Sequence, residues 1–357
     1  MKNKRNGIVS LWKFIFAITI LVYHSKGFYP NLRVPVFNSA YIACEFFFII
    51  AGYYFAKSVL KETYEKETIG EDTFSFIKKR LKKLVPYMLI AYLIIIGIKV
   101  FSKAYVATSY YINSIVNLLL LKEFGFPGPD ALGHFWFITA LYMALFILYP
   151  LVKKHNKNFI YIASPIIVLF GMGYLFKNWG YLDLSHSNWN GFIQAGMIRG
   201  FAEVNLGMIL YLISSRLKDV KYTAFGRLIL TLLGEALLVM TLVVTSLKLT
   251  YNKYDFIILL FISLGILIIT SEKTYGYKLL SNKLMYYLDT LSMVIFINHL
   301  SMIFLFSKLN IKGLTPNQTL LCTIGATIVF SIIEKAIIDS KLITFIKKIS
   351  KKMFIKE

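Results

Sequence analysis

Long apolar runs alternate with short polar connections along almost the entire chain. A helix needs about 20 mostly apolar residues to cross the hydrocarbon core of a bilayer. About ten runs meet this requirement, which predicts an all-α, polytopic membrane protein built as a bundle of transmembrane helices. The predicted spans are approximately 8–28, 39–58, 84–101, 133–152, 159–176, 197–213, 225–248, 254–271, 284–306 and 318–339.

Residues 105–121 form a shorter and more polar run between two of these spans. This run fits either an eleventh span or a helix lying at the membrane interface, and we favour the interfacial helix. No soluble domain of useful size interrupts the pattern or flanks it. We therefore expect residues 1–357 to form a single integral-membrane domain.

The composition supports the membrane class. Apolar and aromatic residues make up 57% of the chain and charged residues 16%, against about 45–50% and about 25% in an ordinary soluble domain. This hydrophobicity argues against a soluble enzyme and against disorder. The net charge of +22 would otherwise suggest nucleic-acid binding, but the basic residues are dispersed over alternate loops, and we predict no nucleic-acid partner.

The basic residues also orient the predicted spans. If both termini are cytoplasmic, about 28 of the 40 Lys and Arg residues fall in cytoplasmic stretches, as the positive-inside rule requires. These stretches include a basic loop at 57–83 and a tail at 340–357. The pattern predicts a multi-pass protein of the cell membrane.

The sequence shows no pattern typical of a metal site or a disulfide framework. Cys44 and Cys322 both lie in apolar runs and are interpreted as small core residues. The five histidines and two cysteines lack metal-ligand spacing. We therefore predict neither a metal ion nor a permanently bound cofactor.

The first span contains two ionisable residues, Lys13 and His24, and such residues are costly within a membrane. On a helix, their separation of 11 positions corresponds to three turns plus about 20°, so both side chains share one face about 16 Å apart along the axis. They could hold opposite ends of a long anionic ligand with the shape of an acyl-coenzyme A. Alternatively, Lys13 extends to the interface and His24 caps the helix.

Five further short segments follow in order along the chain. Each segment alone is weak evidence of a relationship to other proteins, but their fixed order along a ten-span chain makes the combined evidence strong. The segments are EFFFIIAGY at 45–53, KRLKKLVP at 79–86, GHFWF at 133–137, RGFAE at 199–203 with Gly207, and Ser292 followed by Asn298-His299.

Together with Lys13 and His24, these segments resemble the motifs of the membrane-integral acyltransferase-3 family. Two positions depart from the family pattern: Lys13 stands where Arg is usual, and Ala51 where Ser is usual. Lys keeps the charge but lacks the bidentate fork of Arg, so contact with phosphate would differ. The stretch after Trp136 lacks the Glu of some relatives, which places the chain nearer the single-domain branch that modifies polysaccharides.

The resemblance implies transfer of an acyl group, acetyl above all, from cytoplasmic acyl-CoA to a hydroxyl of an extracytoplasmic or lipid-linked glycan. It implies that His24 acts as general base or as transient acyl carrier, and the sequence leaves both routes open. Lys13, Arg80 and Lys83 would bind the phosphates of the donor, acetyl-CoA. For Arg80 and Lys83 the alternative is a basic loop that anchors to anionic lipid.

The remaining candidates are polar residues within or beside the spans. We predict that Glu45 orients the imidazole of His24, the alternative being a buried pair between Glu45 and Arg199. Glu203 follows Arg199 by one helical turn and could pair with it. The residues predicted to contact the acceptor substrate are His134, Trp136, Arg199, Glu203 and His299.

Structural alternatives remain open for several of these residues. Trp136 could belong to an interfacial aromatic belt, and His299 could join helices through a hydrogen bond. A transporter or flippase of a polysaccharide precursor is the alternative function, because a bundle with buried charges serves transport as well. Such a transporter would be expected to show inverted repeats between its halves, and none is visible.

Overall fold

The computed structural model describes residues 6–29, 32, 37–101, 108–126, 130–185, 187–247, 253–309, 311 and 313–340. The predicted tail at 340–357 lies outside this range except for Ser340, and so do Met1–Arg5. The helices are α1 (Gly7–Ser25), α2 (Ala43–Val59), α3 (Ile69–Phe101), α4 (Thr108–Leu118), α5 (Trp136–His155), α6 (Lys157–Asn178), α7 (Ala195–Leu217), α8 (Ala224–Ser246), α9 (Tyr254–Thr270), α10 (Tyr275–Leu279), α11 (Lys283–Leu309) and α12 (Pro316–Ile338).

This architecture confirms the all-α prediction. Within the described part of the chain, nine helices are long and apolar enough to cross a membrane, and α9, with 17 residues, is a slightly shorter apolar helix. Short 3-10 turns at Ala40–Ile42, Lys122–Phe124 and Asp130–Phe135 connect some of them. One small antiparallel pair, Trp189–Asn190 with Ile193–Gln194, lies in the connection between α6 and α7.

Contacts between the connections show which ends of α2, α3, α5 and α8 lie together. At one end, Lys153 from the end of α5 contacts Glu62 and Asp72 from the connection between α2 and α3 and the start of α3. At the other end, the backbone N–H of Ser39, before α2, donates to the carbonyl of Thr245 at the end of α8. Both pairings agree with spans that alternate in direction from α2 to α8. We call the end of the bundle that carries Lys153, Glu62 and Asp72 the basic end.

Residues 57–83 contain part of a helix where a loop is predicted, and residues 108–118 form a helix shorter than a span. The predicted basic loop at 57–83 is helical from Ile69 onward, because the 33-residue α3 continues past the apolar segment. Phe76 and Ile77 remain buried there, and Lys and Arg are good helix formers with long apolar stems. Within 105–121, the described residues include the 11-residue α4, which is about 16 Å long, shorter than the length of a span.

Helices α1, α2, α7 and α11 form the buried centre, whereas α6, α8 and α12 are mostly exposed on the outside of the bundle. Glycines allow α2 and α7 to cross at close range. A side chain at Gly52 would overlap the backbone of Val204, and one at Gly207 would overlap the backbone of Ile49. Small residues commonly permit such backbone contact between membrane helices. The crossing holds α2 and α7 together at the centre, where both carry buried charges.

Candidate active site

Lys13 lies on α1 toward the basic end and pairs with Asp289 near the start of α11. The Nζ–Oδ1 distance is 2.8 Å, and both side chains are about one-fifth exposed, at 20% and 21%. The ammonium also lies 5.4 Å from the centre of the Tyr54 ring on α2. The charge is therefore partnered but remains accessible to a ligand.

Two adjoining cavities open around this pair. One has a volume of about 450 Å³ and the other about 630 Å³. The residues that line both cavities come from α1, α2, α3 and α11. They are Lys13, Tyr54, Arg80, Lys83 and Asp289. The structure thus brings together all three residues predicted to bind the donor phosphates.

Arg80 is held in place at the cavity wall by its own helix. Its guanidinium carbon lies 3.3 Å from the centre of the Phe76 ring, and its Nη1 donates to the Phe76 carbonyl at 3.3 Å. The stacking fixes the planar group while leaving other N–H donors for a ligand. Arg80 and Lys83 also line a third, more polar cleft that contains Lys79 and Lys153.

The smaller cavity leads from these charges into the bundle and becomes apolar. Its inner part is lined by side chains of α2, α5 and α11, including Phe47, Phe137 and Phe296. The three rings contact one another, with centroid distances of 5.3–6.4 Å. A ligand entering the cavity would therefore place its charged part at the mouth and its uncharged part against aromatic rings.

Three histidines lie together beyond these rings. The ring of His299 lies 5.1 Å from that of His24 and 4.7 Å from that of His134, measured between centroids. Phe296 contacts both His134 and His299 at 5.7 Å. In the described part of the chain, no group of three or more His, Cys, Asp or Glu side chains is arranged to hold a metal ion.

Backbone carbonyls fix the tautomers of two of these histidines. His134 donates from Nε2 to the carbonyl of Ile297 at 2.9 Å, and His299 donates from Nδ1 to the carbonyl of Phe296 at 2.6 Å. Because a carbonyl only accepts, each bonded nitrogen carries the proton. Nδ1 of His134 and Nε2 of His299 are then lone pairs, and neither has a partner among the described residues.

Glu45 lies in a separate buried group centred on Arg199. Nη2 of Arg199 donates to Glu45 and, at 3.0 Å, to the carbonyl of Tyr41, while Nη1 donates to the carbonyl of Leu184 at 3.2 Å. Glu203 lies 3.5 Å from Nε, and all three charged side chains are at most 1% exposed. This is the buried pair between Glu45 and Arg199 that the sequence left as the alternative, and no hydrogen bond joins Glu45 to His24 within the described residues.

A family model described as an acyltransferase domain matches residues 6–334. The chain belongs to the acyltransferase-3 family. No curated protein and no solved structure matches the chain. The matched range includes, almost in full, the ten apolar helices of the described part of the chain, so the family match extends over the membrane bundle. Membership of this family identifies the protein as a membrane-embedded acyltransferase and disfavours the transporter hypothesis.

Within this acyltransferase-3 protein, the residues predicted to contact the acceptor are less exposed than the sequence suggests. His134 is 3% exposed and His299 is fully buried. A side chain at Gly196 would lie 2.9 Å from the ring of Trp136, so this tryptophan packs against α7. Arg199 and Glu203 lie inside the bundle, where their contacts support a structural role; binding of substrate by these residues stays a prediction.

The acyltransferase-3 site also contains residues that the sequence did not single out as ligand contacts. Asp289 and Tyr54 complete the charged mouth of the cavity, and Phe47, Phe137 and Phe296 close its inner end. A carboxylate at the start of an apolar span was the available signal for Asp289. The phenylalanines gave no such signal, because they resemble any other core residues of a membrane helix.

Proposed function

We propose that this acyltransferase transfers an acetyl group from cytoplasmic acetyl-CoA to a hydroxyl of an extracytoplasmic or lipid-linked glycan of the cell envelope, such as an exopolysaccharide precursor. The basic end would face the cytoplasm, and the protein would reside in the plasma membrane. Acetyl-CoA is a transient donor substrate here, not a bound cofactor. His24 is the proposed catalytic residue.

One observation carries this proposal. The cavity that begins at Lys13 extends inward between α2, α5 and α11 to Phe296, which contacts His134 and His299. On α1, His24 follows Lys13 by about 16 Å along the same helix face. Coenzyme A thioesters have a charged end, a slender arm and a reactive tip. The charged mouth, the apolar interior and the histidine cluster follow one another in the same order.

The phosphates of the donor would bind at the mouth. Lys13, Arg80 and Lys83 provide three cations on the shared wall of the two cavities, and hydrogen bonds between charged groups are about twice as strong as neutral ones. Asp289 is the counter-ion that an arriving phosphate would displace from Lys13. Binding would therefore exchange one ion pair of Lys13 for another, and the released carboxylate of Asp289, which is 21% exposed, would remain at the accessible mouth of the cavity.

The imidazole of His24 suits either route of acyl transfer. No hydrogen bond to its ring is present within the described residues, so both nitrogens remain available. As a general base, it would take the proton of the acceptor hydroxyl while the hydroxyl oxygen bonds to the thioester carbon. The C–S bond then breaks, and the proton passes to the departing thiolate of coenzyme A. A general base contributes about 10²–10⁴ in rate.

In the second route, the imidazole nitrogen attacks the thioester carbon first. The C–S bond breaks, the imidazole proton passes to the thiolate, and an acyl-imidazole holds the acetyl group until the acceptor hydroxyl attacks it. The ring of His299 lies 5.1 Å from that of His24, and its lone pair at Nε2 could accept that proton in transit.

The test is transfer of radiolabelled acetyl from acetyl-CoA to cell-envelope glycan by the purified protein. We expect His24→Ala to lose at least about 10²-fold in rate, the lower range for a general base. The matched control is His155→Ala, because His155 is exposed at the end of α5, away from the cavities. Equal transfer by wild type and His24→Ala would refute the catalytic assignment.

A further inference from the structure

Three phenylalanines from three helices close the inner end of the smaller cavity. The ring of Phe47 on α2 lies 6.3 Å from Phe137 on α5 and 6.4 Å from Phe296 on α11, and the last two are 5.3 Å apart. All three line the cavity of about 450 Å³. We call this group the phenylalanine cluster.

The histidines lie on the other side of the phenylalanine cluster. None of His24, His134 and His299 lines the cavity. Phe296 contacts the cavity and also packs against His134 and His299, with centroid distances of 5.7 Å. Its position three residues before His299 on α11 places both side chains on neighbouring parts of one helix face. Among the three rings, Phe296 therefore lies directly between the cavity that it lines and the histidines that it contacts.

We propose that the phenylalanine cluster sets the length of the acyl group that the enzyme transfers. This inference rests on the proposed function, because it assumes that an acyl-CoA enters the cavity from the basic end. A reacting thioester carbon must come within about 3–3.5 Å of its nucleophile. The acyl group beyond that carbon must then fit between the rings and the histidines.

The packing around the cluster makes this space small and difficult to enlarge. Phe137 is 8% exposed and packs against Phe48 with a centroid distance of 4.2 Å. The backbone carbonyl of Phe296 accepts the hydrogen bond from His299, which holds that turn of α11 beside the histidines. An acetyl group adds only one methyl to the carbonyl. A butyryl group is longer and must displace aromatic rings that are packed against neighbouring side chains.

The experiment compares acetyl-CoA with butyryl-CoA for wild type, Phe296→Ala, Phe296→Leu and Phe47→Leu. Each additional methylene in a restrictive pocket changes the rate about 10–200-fold. We therefore expect the ratio of butyryl to acetyl transfer to rise about tenfold or more in the Phe296 variants. Because the ratio is measured on one preparation, differences in expression or active fraction cancel.

Phe256→Leu is the matched control. Phe256 on α9 packs against Phe176 with a centroid distance of 5.1 Å and does not line the cavity, so the variant removes an aromatic ring outside the phenylalanine cluster and should leave the ratio unchanged. Should Phe296→Ala fail to fold, the two leucine variants carry the test. An unchanged ratio in folded Phe296→Leu and Phe47→Leu overturns the inference. Absence of acetyl transfer by the wild type contradicts the proposed function instead.

Discussion

Two groups of charged side chains lie within the helix bundle, and they differ in their surroundings. Lys13 and Asp289 form an ion pair, about one-fifth exposed, on the wall of a cavity. Arg199 is enclosed by Glu45, Glu203 and backbone carbonyls and is 1% exposed. A charge in a membrane span is therefore not by itself a ligand site, and access through a cavity is what separates the two cases.

The difference also concerns energy. The enclosed group can be stable only if each charge keeps its partners, since an uncompensated buried charge is costly. A partly exposed pair contributes little, typically about 0–1 kcal/mol, so a ligand can displace it readily. We expect substitutions in the enclosed group to change stability and substitutions at the cavity to change binding of the donor.

The largest effect is expected for Arg199→Ala, which leaves Glu45 and Glu203 buried without their cation. Removing one partner of a buried ion pair costs about 3–5 kcal/mol. We predict a clear fall in thermal stability in detergent and in the yield of folded protein. The measurement is the unfolding temperature from intrinsic fluorescence, with Arg216→Ala as the control, because Arg216 is exposed at the end of α7.

A matching unfolding temperature for Arg199→Ala and Arg216→Ala would contradict the structural interpretation. If Arg199→Ala folded normally and only raised KM for the acceptor, the predicted role of Arg199 in substrate binding would be supported instead. Arg199→Lys is a useful intermediate, since it keeps the charge but loses the donors that reach the carbonyls of Tyr41 and Leu184.

The second effect is expected for Lys13→Ala, at the cavity. Losing one charged hydrogen-bond donor to phosphate costs about 1.5–3 kcal/mol, which corresponds to an increase of about tenfold or more in KM for acetyl-CoA. The unfolding temperature should change much less than in Arg199→Ala. Lys13→Arg should retain donor binding, because a guanidinium carries the same charge. Calorimetric titration with coenzyme A measures binding without turnover.

Identical affinity for coenzyme A in wild type, Lys13→Ala and Lys13→Arg would mean that Lys13 serves only to satisfy Asp289. The two regions would then be alike, each being a structural ion pair. A reduced affinity together with unchanged stability would establish that the cavity, and not burial in the span, determines which charges take part in binding.

The sequence predicts one of these two regions better than the other. Hydropathy located the ten apolar helices, because the membrane requires long apolar segments. Helical spacing placed Lys13 and His24 on one face. For Glu45, the sequence left a contact with His24 and a pair with Arg199 both open, because the direction in which its side chain points depends on how α2 crosses α7. That crossing rests on backbone contact at Gly52 and Gly207, which hydropathy does not reveal.

The phenylalanine cluster illustrates the same limit. Phe47, Phe137 and Phe296 lie in three separate spans, and each sequence context is simply apolar. Their meeting depends on the arrangement of α2, α5 and α11 around the cavity. Chemistry that relies on ionisable residues is visible in a membrane sequence because such residues are rare there. Selectivity that relies on apolar shape becomes visible only in the folded bundle.

The smallest effect is expected for Asp289→Asn, which changes the anionic partner of the exposed ion pair and leaves its cation, Lys13, in place. Replacing the carboxylate with an amide keeps the size of the side chain and releases Lys13 from its 2.8 Å ion pair. Because a partly exposed pair is worth about 0–1 kcal/mol, the KM for acetyl-CoA should fall by up to about fivefold, with little change in the unfolding temperature.

The increase in donor affinity should vanish in Asp289→Asn combined with Lys13→Ala, since the released charge is then absent. If Asp289→Asn instead weakened donor binding, the carboxylate would be holding Lys13 in position for phosphate, and its role would be that of a positioning residue and not of a competing anion.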